Sequence, residues 1–151
     1  MSSVRASTAI AASLAETWDH YFDPRGWPAW VDQFAGVVDV VGGYPEAGGT
    51  LRWRSGSAGR GEVRERVLDH EPRRLHRVDW EDPQSSGRLT TTFEIKGDRT
   101  EVTQELDYDL TNGGAFAAIT DRLFVRSQMR GSLERSLAAL KHEVEELAAG
   151  A

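Results

Sequence analysis

The chain has 151 residues, of which 39% are hydrophobic and 28% charged, and its formal net charge is −6 at pH 7. This length suits one domain with a sizeable core, and we expect a single domain over 1–151. The net negative charge argues against a nucleic-acid partner, which would require a basic surface. The chain contains no cysteine, which excludes disulfides and thiolate chemistry.

Alternating apolar residues predict a first strand over 4–10. In the sequence SLAE, Glu16 follows Ser13 by three positions, which is a capping box and predicts a helix that begins there. The segment GWPAWVDQF predicts a second short helical turn with Pro28 near its start. Two strands, separated by the breaker-rich loop GGYPEAGG, are predicted next over 37–41 and 51–54.

Four further strands follow in succession, and each is closed by residues that break a strand. Glu71-Pro72 ends the first of these strands, DPQSSG ends the second, and Gly97-Asp98 forms a two-residue hairpin turn. A long final helix is predicted from Ala115 to about Ala148. The four strands are predicted over 61–70, 75–81, 89–96 and 100–110.

No segment of the sequence predicts a transmembrane helix, because no apolar run approaches the ~18 residues that a span requires. The N-terminal segment is alanine-rich but lacks a sustained apolar core, so we interpret it as a cytoplasmic start rather than a signal peptide. The histidines show no metal-ligand spacing such as HxxxH, and we expect neither a metal nor another cofactor.

The order of these elements predicts the fold class. Consecutive strands favour an antiparallel meander, and the final helix, at ~1.5 Å per residue, is long enough to cross the whole sheet. We therefore expect an α+β fold in which a curved antiparallel sheet of about six to seven strands wraps around the C-terminal helix. Two short helices should follow the first strand.

Several short motifs, taken in this order, resemble the START-like (SRPBCC) superfamily, which includes polyketide cyclases/dehydrases and lipid-transport domains. They are WPAW after the first helix, PEAGGTLRW before a strand, GEVRERVLDHEPRRL with its proline turn, and LAALKHEVEEL in the last helix. The resemblance covers nearly the whole chain and implies the helix-grip fold. It also implies a cavity between sheet and helix for an apolar ligand, but it does not fix a reaction.

Candidate ligand-binding residues follow from the alternation of side chains across each strand. One face of every predicted strand should point toward the helix, and the polar and aromatic residues on that face could contact a ligand. These strand residues are Trp53, Glu65, Trp80, Thr91, Phe93, Gln104 and Tyr108.

Two arginines interrupt the apolar stripe of the predicted C-terminal helix. On a helical wheel of about 100° per residue that starts at Ile119, Arg126 and Arg130 fall at the centre of this stripe. We predict that these two arginines and Leu123 contact the ligand as well. A buried guanidinium needs a counter-charge, and Glu65 is the only carboxylate on the predicted inward face. We expect Glu65 to pair with one of the two arginines at the polar end of a pocket, although both could instead lie at its rim.

Two main functions are consistent with these observations. The first is the binding of a small hydrophobic or aromatic ligand, either neutral or anionic. The second, implied by the resemblance, is a polyketide aromatase/cyclase that catalyses aldol cyclisation and dehydration, with an arginine polarising a keto oxygen and His76 or Tyr108 moving the proton. An accessory protein without a small ligand is a third alternative, and a homodimer is left open.

Overall fold

The structure is a computed structural model that describes residues 2–56, 60–110 and 122–150. Its helices are α1 (Leu14–Tyr21), α2 (Trp27–Trp30) and α3 (Arg122–Gly150), and a 3₁₀ turn at Pro24–Gly26 precedes α2. Its strands are β1 (Ser2–Ile10), β2 (Phe34–Val41), β3 (Thr50–Ser55), β4 (Glu62–Glu71), β5 (Leu75–Glu81), β6 (Ser85–Lys96) and β7 (Arg99–Leu110).

The strands form one antiparallel sheet in the order β1-β7-β6-β5-β4-β3-β2. Helix α3 packs against β1, β7, α1 and α2. This arrangement confirms the predicted α+β helix-grip fold. No helix in the described part of the chain combines the length and apolarity needed to cross a bilayer.

The first short helix begins where the capping box predicts. The Ser13 hydroxyl accepts a hydrogen bond from the Glu16 backbone N–H at 3.1 Å, and the Glu16 carboxylate accepts one from the Ser13 backbone N–H at 3.3 Å. These two bonds satisfy amide groups that a helix N-terminus otherwise leaves unpaired. The capping box thus fixes where the chain turns from β1 into the layer that covers the sheet.

The predicted inward faces of the strands are confirmed. Trp53 and Phe93, on β3 and β6, are buried, and Thr8 on β1 lies on the same face as the buried Val4 and Ile10. The same alternation buries Val102, Gln104, Leu106 and Tyr108 on β7. Residues on the inward face are not always buried near the ends of the strands. Ile95 and Leu110 lie on this face but extend past the core and are exposed.

Strand β6 begins earlier than the sequence predicts. Residues 85–87 of the DPQSSG motif belong to the strand, and Gly87 pairs with Tyr108. A Cβ at position 87 would collide with the carbonyl oxygen of Asp107, so the close approach of β6 to β7 requires glycine here. The prediction was wrong because it interpreted this glycine as a turn signal.

Helix α3 covers the sheet with its C-terminal half. The buried helical residues are Leu133, Ser136, Leu137, Leu140 and Val144. Gly131 does not interrupt the helix. The predicted helical residues 115–121 lie outside the described part of the chain.

Side chains of α3 also form hydrogen bonds with backbone groups of the edge strand β1 and of Ala11, the residue that follows this strand. Arg126 Nη1 donates to the Ser3 carbonyl oxygen at 2.8 Å, and Lys141 Nζ donates to the carbonyl oxygen of Ala9. The Glu145 carboxylate accepts from the Ala11 N–H at 2.8 Å. These contacts protect one edge of the sheet from pairing with other strands.

The substitution Leu137→Ala tests the packing of α3 on the sheet. Leu137 is 1% exposed, so we expect a loss of roughly 2–5 kcal/mol in the free energy of unfolding, measured with urea. Leu123→Ala serves as the control, because Leu123 is 79% exposed on the same helix and its truncation should have little effect. Equal shifts in the two midpoints would contradict the described orientation of α3.

Candidate functional site: an aromatic cavity between sheet and helix

A cavity of about 480 Å³ lies between the inner face of the sheet, the α1–α2 segment and α3. This volume falls in the range of pockets that hold small organic ligands, roughly 300–1,000 Å³. Helix α3 contributes Val125, Met129 and Leu133 to its wall. Aromatic side chains form a large part of the rest of the wall, together with aliphatic and polar ones; they are Tyr21, Trp27, Trp30, Phe34, Tyr44, Trp53 and Trp80.

The cavity brings together part of the predicted site. Trp53, Glu65, Trp80 and Gln104 line it, and so does His76. The other predicted residues do not belong to its described lining; these are Thr91, Phe93, Tyr108, Leu123, Arg126 and Arg130. For all of these residues, contact with a ligand stays a prediction.

The predicted residues away from the cavity wall have structural partners or lie on the surface. Phe93 packs against Trp18, with ring centroids 4.8 Å apart. Tyr108 is buried in a cluster with Trp80 and with Val4, Leu106 and Leu133. Leu123 and Arg130 are exposed.

The prediction that Glu65 pairs with Arg126 or Arg130 is wrong. Arg126 contacts β1, and Arg130 points to solvent. The helical wheel assumed one inward direction for the whole helix. In the structure, the residues of this part of α3 that face the cavity are Val125, Met129 and Leu133. Each four-residue step turns about 40° around the axis, so the inward face of the N-terminal half differs from that of the C-terminal half.

Glu65 lies on the inward face of β4 between two tryptophans. Trp53 Nε1 donates to Glu65 Oε2 at 2.9 Å, and Trp80 is the residue directly opposite on β5. Because the carboxyl group faces the cavity rather than bulk water, desolvation raises its pKa; the Trp53 hydrogen bond and the positive charge of Arg60 act in the opposite direction.

Arg60 is the basic residue that the sequence reasoning missed. Its Nε donates to Asp82 Oδ2 at 2.8 Å, and its guanidinium carbon lies 4.6 Å from the centre of the Trp80 ring. The Asp82 side chain is 2% exposed and that of Arg60 is 34% exposed, so the pair sits at the rim of the cavity. Arg60 lies in a glycine-rich loop before β4, where no periodicity indicates the direction of a side chain.

Tyr21 forms a buried polar cluster with two of the predicted residues. Its hydroxyl lies 3.0 Å from Thr91 Oγ1 and accepts a hydrogen bond from Gln104 Nε2 at 3.0 Å. Burial raises the pKa of Tyr21 to about 12, so the phenol is neutral. Tyr44, which is also in the wall, likewise has its pKa raised by burial. These tyrosines were missed because neither lies on a strand with regular alternation.

His76 is a neutral histidine in the cavity wall. Its Nδ1 lies 3.0 Å from Nδ1 of His70, and burial together with His70 lowers the pKa of His76 to about 3. Its Nε2 has no hydrogen-bond partner within the described residues. The chemistry that His76 can provide is therefore that of an uncharged imidazole, which is a weak base.

The α2–β2 connection is fastened to α3 at another part of the wall. Asp32 accepts two hydrogen bonds from Arg135, both at 3.1 Å, and one from the Ser132 hydroxyl at 2.8 Å. The Asp32 backbone N–H donates to the Ser136 hydroxyl at 2.9 Å. A bidentate contact of this kind fixes orientation as well as distance.

No metal centre is found in the three described ranges of the chain, because none of their histidines, aspartates and glutamates form a group of three or more that could hold an ion. The groups that the cavity offers to a ligand are hydrogen-bonding side chains and aromatic rings. The seven-stranded antiparallel sheet, the long C-terminal helix and the short helices after β1 together define a helix-grip protein.

The chain belongs to the family described as "Polyketide cyclase / dehydrase and lipid transport", whose model matches residues 1–145. No curated protein sequence matches the chain significantly.

Similar solved structures have the same fold. A protein from Thermus thermophilus has a TM-score of 0.73 at 23% identity, with 99% of this chain and 100% of that chain covered. The aromatase/cyclase Zhui from a Streptomyces species has a TM-score of 0.71 at 17% identity, covering 95% and 93%. The Aha1 dimer from Colwellia psychrerythraea has a TM-score of 0.62 at 14% identity, covering 93% and 97%. At these identities the likeness shows the fold alone.

The substitution Glu65→Gln tests the environment of the Glu65 carboxyl group, which is half-buried in the cavity wall. A carboxyl whose pKa is raised by folding stabilises the protein most below its ordinary pKa of 4.5 and loses that contribution as the pH rises through the folded value. Glutamine can still accept from Trp53 but carries no charge. We therefore expect Glu65→Gln to unfold at higher urea than the wild type at about pH 8 and to lose this advantage at about pH 4.

Glu62→Gln provides the control for this experiment. Glu62 lies on the outer face of the same strand and pairs with Arg52 at 3.0 Å. Its replacement should not reproduce the pH-dependent gain. A constant difference between Glu65→Gln and the wild type across this range would show that Glu65 is not desolvated.

Proposed function

We propose that this protein binds a small, largely apolar and aromatic molecule in the cavity. The observation that carries the proposal is a cavity of about 480 Å³ whose described lining includes seven tyrosine, tryptophan and phenylalanine side chains. Aromatic rings provide a large contact area and specific stacking geometries for a planar ligand. A few polar groups among them can orient such a ligand.

Some polar groups of the wall form hydrogen bonds within the protein, and others do not. Tyr21 and Gln104 form a cluster with Thr91, which lies outside the described lining, and Trp53 donates to Glu65. Trp30 Nε1, His76 Nε2 and Trp80 Nε1 have no hydrogen-bond partner among the described residues. These groups favour a largely apolar ligand that carries a few polar atoms.

The sequence left open whether the ligand is neutral or anionic. The charges at the cavity do not favour an anionic ligand. Arg60 is paired with Asp82, and Arg135 is paired with Asp32. Arg126 and Arg130, the two cations predicted at the pocket, do not belong to the described lining. The proposed ligand is therefore not an anion.

Filling the cavity tests this proposal. Met129→Trp should reduce the affinity for 2-naphthylmethanol at least about tenfold, because the larger ring occupies the space of the ligand. Isothermal titration calorimetry should also show a negative heat-capacity change for the wild type. Arg130→Trp is the control, since this neighbouring side chain is exposed and its replacement should leave binding unchanged.

The urea midpoint of each variant, measured without ligand, separates loss of binding from loss of folding. Native mass spectrometry of the purified protein would identify any molecule that it retains. If no aromatic compound binds and none is retained, the binding function is contradicted.

A polyketide aromatase/cyclase is the second candidate function. The family match supports this function. The cavity also contains two groups with shifted pKa values, because the pKa of Glu65 is raised and that of His76 is lowered. Arg60, rather than Arg126 or Arg130, is the cation available to polarise a keto oxygen. Tyr108 packs away from the described lining and is a less suitable proton donor than Glu65.

Conversion of a linear poly-β-ketone to a dehydrated ring, followed by chromatography and mass spectrometry, tests catalysis. If Glu65 transfers a proton, Glu65→Gln should lower turnover by about 10²–10⁴-fold while substrate binding persists. Glu62→Gln should leave turnover unchanged. Binding of the substrate without conversion by the wild type would contradict the enzyme and retain the binding function.

The homodimer stays a prediction. The edge strand β2 exposes Val37, Val38, Val40 and Val41, whereas side chains of α3 cover β1. The similar Aha1 structure is described as a dimer. Analytical ultracentrifugation of the wild type would determine the oligomeric state directly.

A further inference from the structure

The charged side chains that line the cavity do not balance. Asp32 is paired with Arg135 at 3.1 Å, and Asp82 is paired with Arg60 at 2.8 Å. Glu65 forms no ion pair with any of the described residues, and the hydrogen bond that Oε2 accepts comes from an uncharged indole. When Glu65 is ionised, the cavity therefore carries one uncompensated negative charge.

Arg60 does not remove this imbalance. Its charge favours the ionised form of Glu65, so the two groups are near one another. However, Arg60 is held by the buried carboxylate of Asp82 and lies over the face of Trp80 at the rim. The charge of Asp82 offsets that of Arg60, and water at the rim screens the remainder.

The surroundings of Glu65 are aromatic. Trp53 holds the carboxylate and stacks against Phe34, with ring centroids 5.6 Å apart. The charge of Glu65 contributes to raising the pKa values of Tyr21 and Tyr44, so both rings are within electrostatic range of it. Aromatic faces attract cations, most strongly where water is excluded. A carboxylate among several rings is complementary to a positively charged organic group.

We propose that the cavity selects a hydrophobic or aromatic amine, whose ammonium group pairs with Glu65 while its apolar body packs against the aromatic wall. This inference rests on the proposed binding function and names the ligand class. Folding has already removed Glu65 from bulk water, so an incoming cation restores the stabilisation that the carboxylate lost.

The other charge classes fit this cavity less well. A neutral hydroxyl group can donate a hydrogen bond to Glu65 but leaves its charge uncompensated. A carboxylate ligand would place a second negative charge beside it, which is unfavourable in a site of low dielectric. The ammonium group alone satisfies both the hydrogen bonding and the charge of Glu65.

Three ligands with the same naphthalene ring test the inference: 2-naphthylmethylamine, 2-naphthylmethanol and 2-naphthoate. Their dissociation constants are measured by isothermal titration calorimetry at about pH 8, where the amine is still protonated. The wild type should bind the amine roughly tenfold or more tightly than the alcohol. The naphthoate should bind most weakly.

Two variants assign the preference to one carboxylate. Glu65→Gln should bind the amine and the alcohol with equal affinity, because the amide keeps the acceptor for Trp53 and removes the charge. Glu62→Gln, which makes the same change in net charge on the outer face of β4, should keep the wild-type preference. The urea midpoint confirms that each variant is folded.

The outcomes distinguish the inference from the function on which it rests. Equal affinities of the wild type for the amine and the alcohol would overturn the amine selectivity and leave the binding function intact. An amine preference that persists in Glu65→Gln would also overturn it. If none of the three ligands binds to the wild type, both the inference and the proposed binding function fail.

Discussion

One helix cannot cover the inner face of a seven-stranded sheet. Strands spaced about 4.8 Å apart give such a sheet a width near 29 Å, whereas a helix with its side chains is about 10 Å across. Helix α3 packs mainly on β1, and α1 and α2 cover part of the remainder. The cavity is the space that neither layer fills, so the candidate site is a consequence of how this fold buries its sheet.

This constraint divides α3 into two functional parts. Its C-terminal half packs Leu137, Leu140 and Val144 into the core and stabilises the fold. Its N-terminal half presents Val125 and Met129 to the cavity. The proposed ligand binding thus depends on other residues of this helix than the three that fill the core.

The carboxylates at the cavity differ in whether a paired cation balances their charge. The ion pairs of Asp32 and Asp82 fasten the wall and the rim, while Glu65 faces the cavity and forms no ion pair with any residue that the structure describes. Buried charge is costly unless it is paired. The uncompensated group is therefore the feature of the wall that most restricts which molecules the cavity can accept.

The sequence by itself determined the fold class, the capping box at Ser13 and the inward faces of the strands, because period-two alternation and capping are local properties. It also identified Trp53, Glu65, Trp80 and Gln104 in the wall. Only the tertiary structure decided that Arg60, rather than Arg126 or Arg130, is the cation near Glu65. A loop side chain has no periodicity to follow, and the inward direction of a long helix changes as it crosses a twisted sheet.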